Sequence, residues 1–424
     1  MDLDIAFAQQ LDAEDQLGPF RGEFFNSNEN VVYLDGNSLG RLPLRTIALL
    51  EDQIKQKWGS RLIRSWNESW MDLPAHLSKK LAPLVGASSD EILFGDSTSV
   101  NLYKLAQAAM QIQAPRNEII SDSLNFPSDL YILQGICKNP PGSGKLLLAE
   151  SEDDVHASVE HIKGLLSPQT AILSLSLVAF KSAYLYPMKE LTKAAHAVGA
   201  VVIWDLSHAA GAVEIDLSEA NVDMAVGCSY KYLNGGPGAP AFLYVRKDLQ
   251  QELDPAIQGW FGDHNPFDFD LEYHTAEGIK RFNIGTPTVL SLAAIEPGLD
   301  LLASAGMASL RKKSLALQQY LLDLIQARLS DLGFSLGSPE NADQRGSHIA
   351  LRHAEAGRIC QALINPPPGK STVIPDFRAP HTIRFGIAPL YVTYEDIWIS
   401  VQRLVEIMEE LEYQKFPGRP IGVT

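Results

Sequence analysis

Apolar positions along the chain fall into two recurring patterns. Short unbroken runs alternate with longer stretches of helical spacing. The runs at 91–94, 118–121, 145–148, 171–178, 200–204, 222–227 and 241–245 read as strands buried on both faces, as in a parallel sheet. Between them, 100–111, 154–166 and 187–198 read as helices with short connections. Such alternation predicts a mainly parallel sheet covered by helices on both sides. Earlier, 4–17 reads as an amphipathic helix, 31–35 as a short strand, and 43–57 as a helix opened by Pro43.

After Val245 the pattern loosens. The stripe Leu310, Leu317, Leu321, Leu324, Ile325 and Leu329 predicts a helix over 306–332, stopped by Gly333. It is expected to open a second domain, with strands at 348–351 and 381–389 and helices at 354–363 and 394–413. Residues 365–370 carry three prolines and read as a surface loop. The expected division is an N-terminal segment over 1–60 packing with the small domain, a large domain over 61–300, and a small α+β domain over 301–424.

Composition narrows the function class. With 424 residues, 46% hydrophobic and 20% charged, the chain is an ordinary globular protein of more than one domain. A net charge of −16 argues against nucleic acid or an anionic membrane as partner. Cys137, Cys228 and Cys360 have neither metal spacing nor an even-numbered disulfide framework, so no metal is expected and a reducing compartment fits. The acidic start has no secretory pattern, and no run reaches the length of a membrane span. A cytoplasmic location is expected.

The candidate chemistry sits at strand ends. The run 200–204 stops at Asp205, with His208 three residues on, and the run 222–227 leads into Cys228, Ser229, Tyr230 and Lys231. Ligands of open α/β sheets bind beyond the carboxyl ends of the strands. An Asp there can hold a protonated ring nitrogen, and a Lys can form an imine with an aldehyde. Those are the two handles pyridoxal phosphate needs. Other motifs carry two readings each. Ser97 and Thr98, between a strand and a helix, can bind a phosphate or merely cap the helix. Phe126, before Pro127, Ser128 and Asp129, can stack on a ring or belong to the core. Trp66 and Trp70 can line a pocket or staple a loop. Asn37 and Ser38 can form a tight turn or take part in chemistry. Arg384, among apolar neighbours, needs an anion, either a substrate carboxylate or an internal partner.

Taken together, Leu34 to Gly40, Ile63 to Asn67, Asn125 to Asp129, Trp204 to His208, Asp376 to Pro380 and Arg384 to Tyr391 resemble kynureninase, in its bacterial branch. The likeness covers nearly the whole chain. It implies the aminotransferase-like fold type I of pyridoxal-phosphate enzymes. It also implies hydrolytic Cβ–Cγ cleavage of L-kynurenine, and more weakly of 3-hydroxykynurenine, to the anthranilate and L-alanine, in tryptophan breakdown. By the same resemblance Lys231 would bind the cofactor aldehyde and act as base, and Asp205, with Asp129, would hold the ring nitrogen. Phe126 would lie on the ring face, Pro127 and Ser128 would be cofactor-binding, and Ser97 and Thr98 would bind the phosphate. Tyr230 and His208 match cofactor contacts, Tyr230 being also the candidate proton donor. Trp260 and Thr286 match positions reaching across from the second subunit of a homodimer. Arg384 would take the substrate carboxylate, and Trp66 would favour kynurenine over its hydroxylated form. The 366–371 loop departs from the family pattern.

Two rivals stand beside this reading. One is a class V aminotransferase or cysteine desulfurase of the same fold, although a desulfurase needs a mobile thiol and Cys360 falls in a helical stretch. The other is a catalytically silent scaffold.

Overall fold

In a computed structural model, residues 3–26, 28, 30–138 and 144–417 are described; Met1 and Asp2 of the acidic start lie outside them. The first helix, Ile5–Ala13, is capped by the Asp4 carboxylate, which accepts from Phe7 N at 2.9 Å. It is shorter than the 4–17 periodicity predicts. Asp15 Oδ1 accepts from Leu17 N at 2.9 Å and closes a turn there. Strand β1 (Val31–Tyr33) follows. The predicted 43–57 helix starts at Leu44 and continues beyond Asp52 as wider i→i+5 turns, Gln53–Arg61.

Seven strands then build the main sheet: β2 (Ile92–Phe94), β3 (Glu118–Asp122), β4 (Lys145–Ala149), β5 (Thr170–Ser176), β6 (Val201–Asp205), β7 (Met224–Gly227) and β8 (Phe242–Val245). Their order is β2-β8-β7-β6-β5-β3-β4. Only β8 runs against its neighbours, so the sheet is mainly parallel as expected. The unbroken apolar runs have a direct cause. On β6, Val202 and Trp204 join one hydrophobic core, while Val201 and Ile203 join the other, on the opposite face. Burying each such aliphatic side chain contributes about 1.5–3 kcal/mol.

The helices between strands match the predicted alternation, with one clear shortening. Residues 154–166 are helical only over Val159–Leu165. The Asp153 carboxylate accepts from Val155 N and His156 N, and Ser158 Oγ accepts from His161 N, which places the helix start at Ser158. The predicted 306–332 helix is preceded by a second one. Gly306, at φ +78°, separates Glu296–Ala305 from Met307–Arg328.

The C-terminal part adds β9 (Ser335–Leu336), β10 (His348–Arg352), β11 (Thr372–Ile374), β12 (Asp376–Arg378) and β13 (Thr382–Gly386). Four of these make an antiparallel sheet in the order β12-β13-β10-β9, while β11 pairs in parallel with β1. The N-terminal segment is fastened to this part by polar contacts. The Asp12 carboxylate accepts from Tyr394 N and Glu395 N at 2.8 and 2.9 Å, capping the helix Tyr394–Glu409. Buried Lys313 pairs with Asp15 at 2.7 Å, and Arg21 pairs with Asp396. Among the described residues, no single helix is long and apolar enough to cross a membrane.

Candidate active site

Four loops leave the carboxyl ends of β2, β3, β6 and β7 on one side of the sheet and close around a cavity of about 880 Å³. It is lined by Gly95–Ser99, Phe126, Ser128, Asp129, Asp205, His208, Tyr230 and Lys231, together with the 283–288 segment. The Lys231 loop is held from below. Gly40 N donates to Tyr230 O at 2.8 Å, and a Cβ on Gly40 would collide with the Lys231 carbonyl. That accounts for a glycine at the end of the Leu34–Gly40 turn.

Lys231 is buried, and its Nζ lies 3.0 Å from His208 Nε2. It also lies 5.8 Å from the Phe126 ring centre and 5.7 Å from that of Tyr230. Behind it stand two buried carboxyls. Burial, then the Asp205 charge, pushes Asp129 well above the usual carboxylate range. Asp205 is raised less simply: burial raises it, while the Ser207 hydroxyl, the Lys231 ammonium and Ser207 N hold it down. Burial and mutual repulsion thus disfavour two charges on the pair, the more strongly at Asp129. His208 is kept neutral by burial and by the nearby Lys231 charge. Burial holds the Tyr230 hydroxyl protonated far above neutral pH.

At the other end of the cavity, Ser97 caps the helix Thr98–Ile112, its Oγ accepting from Val100 N at 3.3 Å. Ser99 Oγ and Ser128 Oγ lie 2.6 Å apart. Unpaired N–H groups and hydroxyls there suit a phosphate. The Phe126 loop is anchored by buried Asn125, whose Oδ1 accepts from Ser176 Oγ at 2.7 Å. Amine, ring-facing aromatic, acid pair and hydroxyl-rich helix start thus share one cavity, and this set fits pyridoxal phosphate end to end.

Not every predicted position lines this cavity. Pro127 is the first residue of the helix Pro127–Lys138 and is not part of the lining. Trp66 stacks edge-on against Trp70, 5.2 Å between rings, outside the cavity. Trp260 is 44% exposed in a cluster with Phe261, Phe267 and Phe269. Thr286, which the resemblance would bring from a second subunit, already lines the cavity of its own chain. Lys104 Nζ donates to Phe282 O at 2.8 Å, just ahead of the 283–288 segment.

Arg384 also stands off the cavity lining. Its guanidinium is paired with Asp376 and donates to Phe180 O and, at 3.2 Å, to Ser38 Oγ. Of its two candidate anions, the internal one is present. Phe180 packs edge-on against Phe126 at 5.3 Å, so the two places are mechanically joined. Sequence reasoning missed His348. It is fully buried on β10, 5.6 Å ring to ring from His208, and on the same face as Arg384 in the β10–β13 register. Neutral histidines in strands usually read as core, and nothing local distinguishes this one.

Next to Arg384, burial and the Asp376 charge raise Asp35 to about 7. A carboxyl raised in the folded state favours folding below its unfolded value, near 3.8, and loses that contribution as pH climbs through about 7. Urea midpoints should therefore fall between pH 4 and pH 7 more steeply in the unmodified chain than in Asp35→Asn. Equal slopes would remove Asp35 as the cause.

Comparison with known proteins agrees with this geometry. Residues 310–404 match the model of the kynureninase C-terminal domain. The chain is 41% identical over 404 residues to a kynureninase of Pseudomonas fluorescens, covering 94% of each. The chain belongs to the kynureninase family. It is also 38% identical over 416 residues to a kynureninase of Deinococcus radiodurans, covering 97% of this chain and 98% of that one. The fold is shared with a cysteine desulfurase from Thermococcus onnurineus, at a TM-score of 0.80, 17% identity, and coverage of 92% and 98%. Kynureninase membership makes the chain a pyridoxal-phosphate enzyme that cleaves a carbon–carbon bond.

Proposed function

We propose that the chain hydrolyses the Cβ–Cγ bond of L-kynurenine to anthranilate and L-alanine, and acts more weakly on 3-hydroxykynurenine. The observation that carries this reading is Lys231 lining one cavity with the Asp129–Asp205 pair and a phosphate-suited helix start. When bound, pyridoxal phosphate supplies an aldehyde for the substrate amine and a ring that accepts electrons. Lys231 Nζ would hold the aldehyde, and as a free amine it is placed to take the proton from the substrate Cα. Asp205, with Asp129 beside it, would keep the ring nitrogen protonated. Phe126 covers the ring face, and Ser97, Thr98 and Ser128 receive the phosphate. His208, neutral beside Lys231, accepts from the amine and orients it. Water adds to the substrate γ-carbonyl carbon, which leaves as the anthranilate carboxylate when the Cβ–Cγ bond breaks, and Tyr230, protonated throughout, donates a proton to Cβ. Arg384 takes the substrate carboxylate, and Trp66 meets the aromatic end.

The chain is further proposed to work as a homodimer. Ile54, Trp58, Leu62 and Ile63 are 48–77% exposed along one segment, an apolar row suited to a second copy. Trp260 would then reach the partner's cavity.

A desulfurase reading is disfavoured by Cys360. It is 2% exposed inside the helix Ala356–Ile364, and burial raises its thiol far from reactivity. Incubation with L-kynurenine should release fluorescent anthranilate and equimolar alanine, with slower release from 3-hydroxykynurenine. Consumption of kynurenine without anthranilate, giving a 2-oxo acid in which the Cβ–Cγ bond is intact, would point to amino-group transfer and overturn the proposal.

A further inference from the structure

Lys104 lies in the second turn of the helix Thr98–Ile112 and its side chain is 1% exposed. A buried ammonium needs partners, and this one has two. Nζ donates to Asp96 Oδ2 at 2.7 Å and to Phe282 O at 2.8 Å. The partners belong to two segments that both contribute to the cavity lining. Asp96 sits in the Gly95–Thr98 turn, and Phe282 leads into the 283–288 segment.

Asp96 is an unexpected residue in that place. It is left-handed, at φ +53°, and it lines the cavity beside Ser97 and Thr98, where an anion would be received. A carboxylate there would repel a phosphate unless its charge were cancelled. The turn is otherwise fixed by backbone. Gly95 N donates to Ala241 O and Ala241 N to Asp96 O, both at 2.9 Å, while Asn101 Nδ2 donates to Gly95 O at 2.9 Å. These bonds set the shape of the turn but leave its charge untouched.

We infer that Lys104 is a positioning residue for the phosphate end of the cofactor: it neutralises Asp96 and braces the turn against the segment carrying Thr286. This rests on the pyridoxal-phosphate reading of the cavity. Lys104 does not touch the phosphate; it acts through Asp96 and Phe282.

The test uses apoenzyme titrated with pyridoxal phosphate and, separately, with pyridoxal, following quenching of intrinsic fluorescence. Inorganic phosphate serves as competitor. Lys104→Met should weaken pyridoxal phosphate on the order of tenfold while leaving pyridoxal unchanged. Adding Asp96→Asn to that variant should recover most of the loss, because the uncompensated charge is gone. Asp96→Asn alone should bind pyridoxal phosphate at least as tightly as the unmodified chain. An equal loss for both ligands in Lys104→Met, or no recovery in the double variant, would overturn the inference. Should Lys104→Met not fold, Asp96→Asn alone decides, and weakened pyridoxal phosphate binding there would sink it. If unmodified apoenzyme bound the two ligands equally and ignored phosphate, the cofactor reading itself would fall.

Discussion

Lys231→Ala should lose at least about 10³-fold in turnover of L-kynurenine, because one substitution removes both the covalent anchor and the base. The surroundings make the loss hard to replace. His208 is the nearest other nitrogen base, 3.0 Å from Lys231 Nζ, but it is an imidazole held in place by burial and cannot form the same imine. The same change has an electrostatic signature that activity alone would not show. The Lys231 charge lowers both Asp129 and Asp205, so its removal should raise the pair further. It should also release part of the pressure that keeps His208 neutral. Purified Lys231→Ala should therefore be folded, inactive, and resistant to borohydride labelling at position 231. Its His208 should titrate at a higher pH, visible by NMR of the imidazole. Appreciable anthranilate release from a variant proven to carry the substitution would remove Lys231 from the mechanism.

The parts of this site that were readable in sequence share one property: each is announced by its own strand. The run 200–204 ends at Asp205 and the run 222–227 ends four residues before Lys231, and a parallel sheet brings such ends together. Ser97 was readable as a cap and is one. What escaped was whatever depends on a contact between distant segments. Lys104 looks like a surface helix residue until the 283–288 segment closes over it. His348 lies 140 positions from His208, and only the folded chain brings the two rings within 5.6 Å. Phe126 alone favoured the core, yet it is 38% exposed and turned to Lys231, since Asn125 and Pro127 fix its backbone from both sides. Trp66 and Trp260 show the converse limit. Their surroundings in one chain are other aromatic rings, and the part proposed for Trp260 needs a second chain.

Arg384→Ala should cost about 3–5 kcal/mol of folding free energy, because it leaves Asp376 buried without its main partner. Both side chains are nearly inaccessible, at 1% and 3%. Arg378 remains 3.0 Å from Asp376 but is 32% exposed, so it offsets part of the loss and favours the lower end of that range. The substrate role predicts a second, separate effect. If Arg384 also receives the α-carboxylate, its loss should raise KM for L-kynurenine by about 2–5 kcal/mol in binding terms. The two effects can be pulled apart with Arg384→Met combined with Asp376→Asn. The double variant has no orphaned charge, so its urea midpoint should return towards that of the unmodified chain, while KM should stay high. Recovery of both would mean that Arg384 serves only the fold, with the Asp376 pair as its whole purpose. Recovery of stability alone would mean that a carboxylate from outside takes up the guanidinium, with Arg378 left to balance Asp376 when it does. The joint between Phe180, which accepts from Arg384, and Phe126, which faces Lys231, would then connect carboxylate capture to the ring side of the cavity.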